Sequence, residues 1–209
     1  MSGGYEDYGW KDNSAQSTGY IYPVLRHMLR YDTSKRILDM GCGNGEMANL
    51  LIAQGFDVMG VDASPTGVEV ANRKNPGRFF VHDVSNDKLP AELEDKPFDI
   101  VVSTEVIEHL YAPRAYMRLL QKTLEAKRGD VILSTPYHGY LKNVTLALAN
   151  KMDQHYTALW DGGHIKFWSR ETLTTLLAEF GFRVTEFRGA GRIPYLWKSM
   201  FVRASLRER

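Results

Sequence analysis

After about residue 35 the chain alternates between two hydrophobic rhythms. Short apolar runs are followed by stretches whose apolar residues recur every three or four positions. Arg36–Met40 reads as a buried strand, after which Met47, Leu50 and Leu51 recur at helical spacing up to a stop at Gly55. Residues 58–62 form a second strand, followed by a helix through 68–73. Strands three and four are expected over 79–83 and 98–103. Pro113 suits the first turn of a helix with the stripe Tyr116, Leu119, Leu120, Thr123 and Leu124, which Gly129 ends. A fifth strand follows over 131–134. Ser169 is a good N-cap for a helix bearing Leu173, Leu176, Leu177 and Phe180, with Gly181 as its stop.

This alternation predicts parallel β-α-β units, hence an α/β fold with a doubly wound, mostly parallel sheet covered on both faces. The rhythm breaks near the end. Strands over 184–187 and 200–204 are joined by a stretch too short for a crossover helix, so they should run antiparallel. A second break is residues 136–166, an insertion at the strand edge where ligands usually bind. Within it Leu141, Val144, Leu148 and Met152 fit one helical face. The expected organisation is therefore an N-terminal arm and helix over 1–34, then one domain over 35–209 carrying the insertion. The arm has little periodicity up to about Thr18 and is expected to be weakly ordered. Val24, Leu25, Met28 and Leu29 mark the helix near Pro23.

Composition narrows the function classes. Basic and acidic residues number 26 and 25, so the chain lacks the basic excess of a protein that wraps nucleic acid, and nucleic acid is not the expected partner. Cys42 is the only cysteine, which rules out an intrachain disulfide and suits a reducing, cytoplasmic setting. No apolar stretch approaches the ~20 residues needed to span a bilayer. Lys142 and Lys151 on an otherwise apolar segment leave room for peripheral membrane contact at most. Nothing in the pattern addresses oligomeric state.

The run Ile37-Leu38-Asp39-Met40-Gly41-Cys42-Gly43-Asn44-Gly45 is a strand entering a glycine-rich turn and then a helix. Glycines let the backbone approach a ligand closely. Asp39 precedes the turn, and Asp62 ends the second strand, where a carboxylate can accept two ribose hydroxyls. A dinucleotide fingerprint would place a third glycine where Glu46 stands, and that carboxylate would repel a pyrophosphate.

With these residues the chain resembles the class I S-adenosylmethionine-dependent methyltransferases from about Lys35 to Ala204. The resemblance implies a Rossmann-like, seven-stranded sheet with an antiparallel last strand. It implies that Asp39, Gly41, Cys42 and Gly43 hold the methionine part of the cofactor, and that Asp62, followed by Ala63, holds the ribose. Asp83 and Val84 would border adenine. Thr104 and Glu105 would lie beside the reacting methyl group.

A second constellation, Glu105-Val-Ile-Glu108-His109, follows strand four. A helical turn starting there would put Glu105, Glu108 and His109 on one face. The string is similar to one in the ubiquinone-pathway O-methyltransferases, where these acids and the histidine are implicated in divalent metal binding. The segment from Ser134-Thr135-Pro136 through Gly163-His164 to Phe167 resembles that group's insertion. Three readings share the cluster: His109 as a general base, a bound divalent ion such as Mg, or hydrogen bonding within the turn. His164 is a candidate second base or further ligand. Tyr137, Tyr140, Tyr156 and Trp160 either line an acceptor pocket or pack the insertion.

The expected reaction is methyl transfer from S-adenosylmethionine to the hydroxyl of a small-molecule acceptor, with His109, Glu105 and His164 as catalytic candidates. The alternatives are N-methylation of a small molecule or protein, and a non-catalytic cofactor-binding module. Adenine and glutamine N-methylating enzymes often carry Asn/Asp-Pro-Pro-aromatic after strand four. Here Ser103-Thr104-Glu105-Val106 stands in its place.

Overall fold

In the computed structural model, the described residues are 17–207 apart from 87, 95, 157, 158 and 161. The weakly ordered arm expected over the first eighteen residues falls almost wholly outside them. A seven-stranded sheet runs in the order β3-β2-β1-β4-β5-β7-β6. Its strands are β1 (Arg36–Met40), β2 (Asp57–Asp62), β3 (Phe79–Val81), β4 (Ile100–Thr104), β5 (Asp130–Pro136), β6 (Phe182–Ala190) and β7 (Ser199–Leu206). The first five pair in parallel, and β7 pairs antiparallel with both β5 and β6. The alternation and its antiparallel end are as the sequence predicts. Strand β3 is shorter than expected and ends at Val81, which leaves Asp83 in the loop beyond it.

The central strands are apolar at consecutive positions because both faces are buried. On β4 and β5, Val101, Val131 and Leu133 enter one core, and Val102 and Ile132 enter the other. The first core is closed by α4 (Pro113–Glu125) and α7 (Arg170–Glu179) through Tyr116, Leu120, Leu173 and Leu177. The second is closed by α1 (Thr18–Met28), α2 (Glu46–Ala53) and α3 (Pro65–Lys74). Ile21, Leu25, Met28 and Leu29 are fully buried there, so the N-terminal helix packs into the same core as the strands. Each such side chain contributes about 1.5–3 kcal/mol on burial.

The insertion departs from its predicted pattern. It forms α5 (Tyr140–Leu148) and a separate short α6 (Met152–Tyr156), divided at Asn150, whose φ is 52°. The expected apolar face of α5 is not buried: Leu141 and Leu148 are 50% and 85% exposed. The buried residue of α5 is instead Lys142, whose Nζ donates to the Lys198 carbonyl at 3.3 Å. That bond turns the lysine inward. Among the described residues no helix is long and apolar enough to cross a membrane.

Candidate functional site

Strand order reverses between β1 and β4, and the crevice beyond their carboxyl ends is where such sheets take ligands. The loops after β1 to β4 deliver most of the predicted cofactor residues to this edge. The turn after β1 needs its glycines, with φ of 85° at Gly41, 54° at Gly43 and 71° at Gly45. A Cβ on Gly41 would lie 2.4 Å from a methyl of Val106, so the turns after β1 and β4 touch there.

The donors of the β1 turn are used inside the protein. Gly41 and Cys42 donate to the Val61 carbonyl at 2.8 and 3.0 Å, and Gly45 donates to the Cys42 carbonyl at 2.8 Å. Gly43 donates to Asp62 Oδ2 at 2.7 Å, and Ser64 N–H donates to Asp62 Oδ1 at 2.9 Å. A pyrophosphate would therefore find carboxylates here, not free N–H groups, which removes the dinucleotide reading. Asp62 thus stands at the rim of the turn as a carboxylate, the group type that accepts ribose hydroxyls.

Asp39 is 2% exposed, and its Oδ1 has no hydrogen-bond partner. Burial, and then the charge of Asp62, push its carboxyl up to about 7. Two adjacent buried carboxylates make a strongly anionic hollow, and its natural complement is a cation with N–H donors. Burial also raises the Cys42 thiol well above its usual range, so it is an inert wall. Val84 is buried and Ala63 half-buried, while Asp83 is exposed and accepts from Ser85 N–H at 2.8 Å. Thr104, half-buried, closes the carboxyl end of β4.

The second constellation is rearranged. Glu105 sits at φ 56°, in the left-handed region, and the following turn, Ile107–His109, is a tight 3-10 turn. The shared helical face of Glu105, Glu108 and His109 is therefore not formed. Glu105 points to β5 and β7 instead. Ser134 Oγ donates to its Oε1 at 2.8 Å and Ser199 Oγ to its Oε2 at 3.0 Å. Burial pushes this carboxyl up to about 7, and the two serines and Lys142 work against that rise.

The group that does assemble is Glu108, His109 and His164, with one potential ligand atom of each within 4.8 Å of the others. The end of the insertion pins it: Ile165 and Lys166 N–H donate to the Glu108 carbonyl at 2.9 and 3.0 Å. The His109 and His164 rings meet edge to face at 4.9 Å. Glu108 is 1% exposed, and the Thr135 hydroxyl approaches its carboxylate without the geometry of a full hydrogen bond. Burial, then the charge of Glu105, raise its carboxyl well above the usual range. Burial lowers both imidazoles, His164 to about 4, so both are neutral at pH 7. Neutral imidazole is the form that binds a metal or accepts a proton.

A profile for the methyltransferase domain matches residues 18–186. The chain belongs to the class I S-adenosylmethionine-dependent methyltransferases. It is 31% identical over 168 residues to the mitochondrial ubiquinone biosynthesis O-methyltransferase of Schizosaccharomyces pombe, covering 75% of this chain and 58% of that protein. It is 33% identical over 116 residues to a ubiquinone biosynthesis O-methyltransferase of Rickettsia bellii, covering 56% of this chain and 48% of that protein. The methyltransferase thus spans about half to three fifths of the length of these curated relatives. Its fold matches the magnesium protoporphyrin IX methyltransferase of Synechocystis, solved with bound SAH, at 18% identity and TM-score 0.63 over 90% of this chain and 80% of that one.

Several residues at this edge escaped the sequence reading. Ser134 and Ser199 orient Glu105, and Tyr20 of α1 reaches Ser199. Ser134 heads the Ser134-Thr135-Pro136 segment, but its pairing with Glu105 and Ser199 follows from the sheet order and from no spacing in the sequence. Tyr156 lies against His138 and Phe167, and Trp160 lies edge-on to His109 at 5.8 Å. Tyr137 packs on Trp197, while Tyr140 is exposed. Of the four aromatics, Tyr156 and Trp160 therefore neighbour the histidines.

The Gly41–Val106 contact yields a direct test on this methyltransferase. Gly41→Ala is expected to weaken cofactor binding tenfold or more, since a β-carbon at positive φ costs about 1–2 kcal/mol before the clash with Val106 is counted. Adding Val106→Ala should recover part of the loss. Calorimetry on the single and double variants checks both, and equal affinity in wild type and Gly41→Ala would refute the contact's importance.

Proposed function

We propose that this methyltransferase methylates a hydroxyl of a small-molecule acceptor held at Glu108, His109 and His164. The observation that carries the reading is Glu108: a fully buried acid, touched only loosely by the Thr135 hydroxyl and grouped with two neutral imidazoles beside the cofactor edge. Its curated relatives are named as O-methyltransferases, which supports the same reaction class.

In this reading Asp39 receives the cofactor's ammonium group and Asp62 its ribose. Gly41, Cys42 and Gly43 form the wall along the methionine portion. Val84 and Asp83 flank the base, with Ala63 between them and the ribose, and Thr104 lies near the transferred methyl. When bound, S-adenosylmethionine supplies an activated methyl group on a cationic sulfur. The chain's own task is to align the acceptor oxygen and remove its proton. Glu105 acts as a positioning residue, since both its oxygens already accept serine hydroxyls.

The donor set fits a divalent ion. One carboxylate and two imidazoles suit several divalent metals and leave positions open. Such an ion would lower the acceptor hydroxyl's pKa. It would also explain why a carboxylate is kept buried at a steep cost in desolvation. Glu108, His109 and His164 would hold it, in place of the Glu105, Glu108 and His109 set expected from sequence.

Chelator treatment separates this from a purely organic base. Turnover on a hydroxyl acceptor is expected to fall about a hundredfold or more and to return with added Mg or another divalent ion. Unchanged turnover in chelator would leave His109 as base without an ion. N-methylation as the main activity would instead appear as turnover on amine acceptors that chelator and loss of Glu108 leave untouched.

A further inference from the structure

Beneath the insertion lies a second polar group that the reading above does not use. His138 is 8% exposed, and neither its Nδ1 nor its Nε2 has a hydrogen-bond partner. His155 of α6 lies with its ring centroid 5.1 Å from that of His138, and its buried Nε2 also lacks a partner. Lys142 is 5% exposed, with a single bond to the Lys198 carbonyl at 3.3 Å. Aromatic rings close the sides: Phe167 sits edge-on to His138 at 5.2 Å, and Tyr156 lies nearly parallel to it at 6.3 Å. Buried polar atoms are nearly always partnered, so three unfilled imidazole nitrogens beside a buried ammonium describe a binding site.

The charge of the missing partner follows from its neighbours. Burial and then the Arg192 guanidinium push the Lys142 ammonium down to about 8, and Glu105 only partly offsets them. His155 is lowered to about 4 by burial and by the nearby charges of Lys142 and Arg192. Burial, then His155, Lys142 and His164, bring His138 to about 3. Every one of these groups can donate a hydrogen bond, and among the described residues the acid whose charge acts on the ammonium is Glu105, already held by two serines. An anionic oxygen would relieve the repulsion and supply acceptors together.

We infer that this pocket takes an anionic group of the methyl acceptor, a carboxylate or a phosphate, with Lys142 as its ion-pair partner and His138 and His155 as N–H donors. The inference rests on the hydroxyl reading for what lies at the other end of the acceptor. The stretch 165–167 joins the two clusters: Ile165 and Lys166 N–H donate to the Glu108 carbonyl, and Phe167 packs edge-on against His138. The acceptor would then be bifunctional, with its hydroxyl at Glu108, His109 and His164 and its anion under α5. The aromatic rings suit a flat scaffold between the two groups.

The test uses benzoate and phenyl phosphate, with benzamide as the neutral control, titrated into the full chain loaded with S-adenosylhomocysteine. At least one anion should bind ten or more times tighter than benzamide. Which one does so distinguishes a carboxylate from a phosphate. The His138 side-chain NMR signal, assigned by its loss in His138→Gln, should move on saturation with that anion. Lys142→Met should abolish the preference, Lys142→Arg should retain most of it, and unchanged cofactor affinity in both reports an intact fold. Equal affinity for all three probes, or a preference that survives Lys142→Met, overturns the inference. Anion preference in a protein whose turnover ignores both chelator and loss of Glu108 would remove the hydroxyl reading and leave this one standing. Efficient methylation of neutral acceptors with no anion preference does the reverse.

Discussion

Glu108→Gln is expected to lower turnover by about two to four orders of magnitude while cofactor affinity stays within about twofold. The glutamine has nearly the same shape as glutamate, and burial already favours an uncharged side chain at this position. The fold should therefore persist, and the thermal midpoint should not fall. What the variant loses is a carboxyl that can ionise when a cation binds beside His109 and His164. Their neutral rings remain 4.9 Å apart, but they no longer share a carboxylate. Single-turnover rates with saturating cofactor measure the effect apart from product release. A rate within tenfold of wild type would show that Glu108 is a structural acid and would end its claim on the chemistry.

Asp39→Asn should move stability and binding in opposite directions. The buried carboxyl ordinarily titrates near 3.8 and is raised to about 7 in the folded protein. Between those values the folded chain keeps a proton that the unfolded chain has released. Stability therefore falls as pH rises through that window, and the deficit is complete above pH 7. Three units correspond to roughly 4 kcal/mol. Asparagine removes the titration, so at pH 8 the ligand-free variant should melt about 5 °C or more above wild type, with the difference vanishing toward pH 4. Cofactor affinity should drop roughly ten- to a hundredfold, the range of a lost charge-assisted hydrogen bond. In wild type that affinity should rise with pH up to about 7, because binding a cation requires the ionised carboxyl. A variant that melts lower than wild type at pH 8 would contradict the assignment of strain to this carboxylate.

The sheet was readable because its signals are local. Apolar runs such as Ile37-Leu38 and Val101-Val102, and stops such as Gly55 and Gly181, act within a few residues. The glycine-rich turn after β1 was readable for the same reason, since its three glycines occupy left-handed conformations that favour glycine. The acceptor side was legible only in part. The sequence brought Glu105, Glu108 and His109 together by assuming a helix. The left-handed backbone at Glu105 breaks that helix and hands the carboxylate to Ser134 and Ser199. His164 was named as a candidate, but its approach to His109 depends on backbone bonds from Ile165 and Lys166 to Glu108, which no spacing rule reveals. The insertion misled most. Its apolar positions at helical spacing imply a buried stripe, yet Lys142 is the residue that turns inward, drawn by one carbonyl and by the charge of Glu105.

The position of β7 between β5 and β6 also sets an order of assembly. β6 precedes β7 in the chain but has no place in the sheet until β7 has paired with β5. Until residues 199–206 are made, the growing chain presents β5 as an open edge with Val131, Ile132 and Leu133 beside it, the kind of edge that recruits other chains. The same strand delivers Ser199 to Glu105 from 94 residues away. Glu105 therefore gains its Ser199 partner only after β7 has docked. Any lesion that slows docking of β7 should register first as aggregation during synthesis, before it registers as a defect in the mature enzyme.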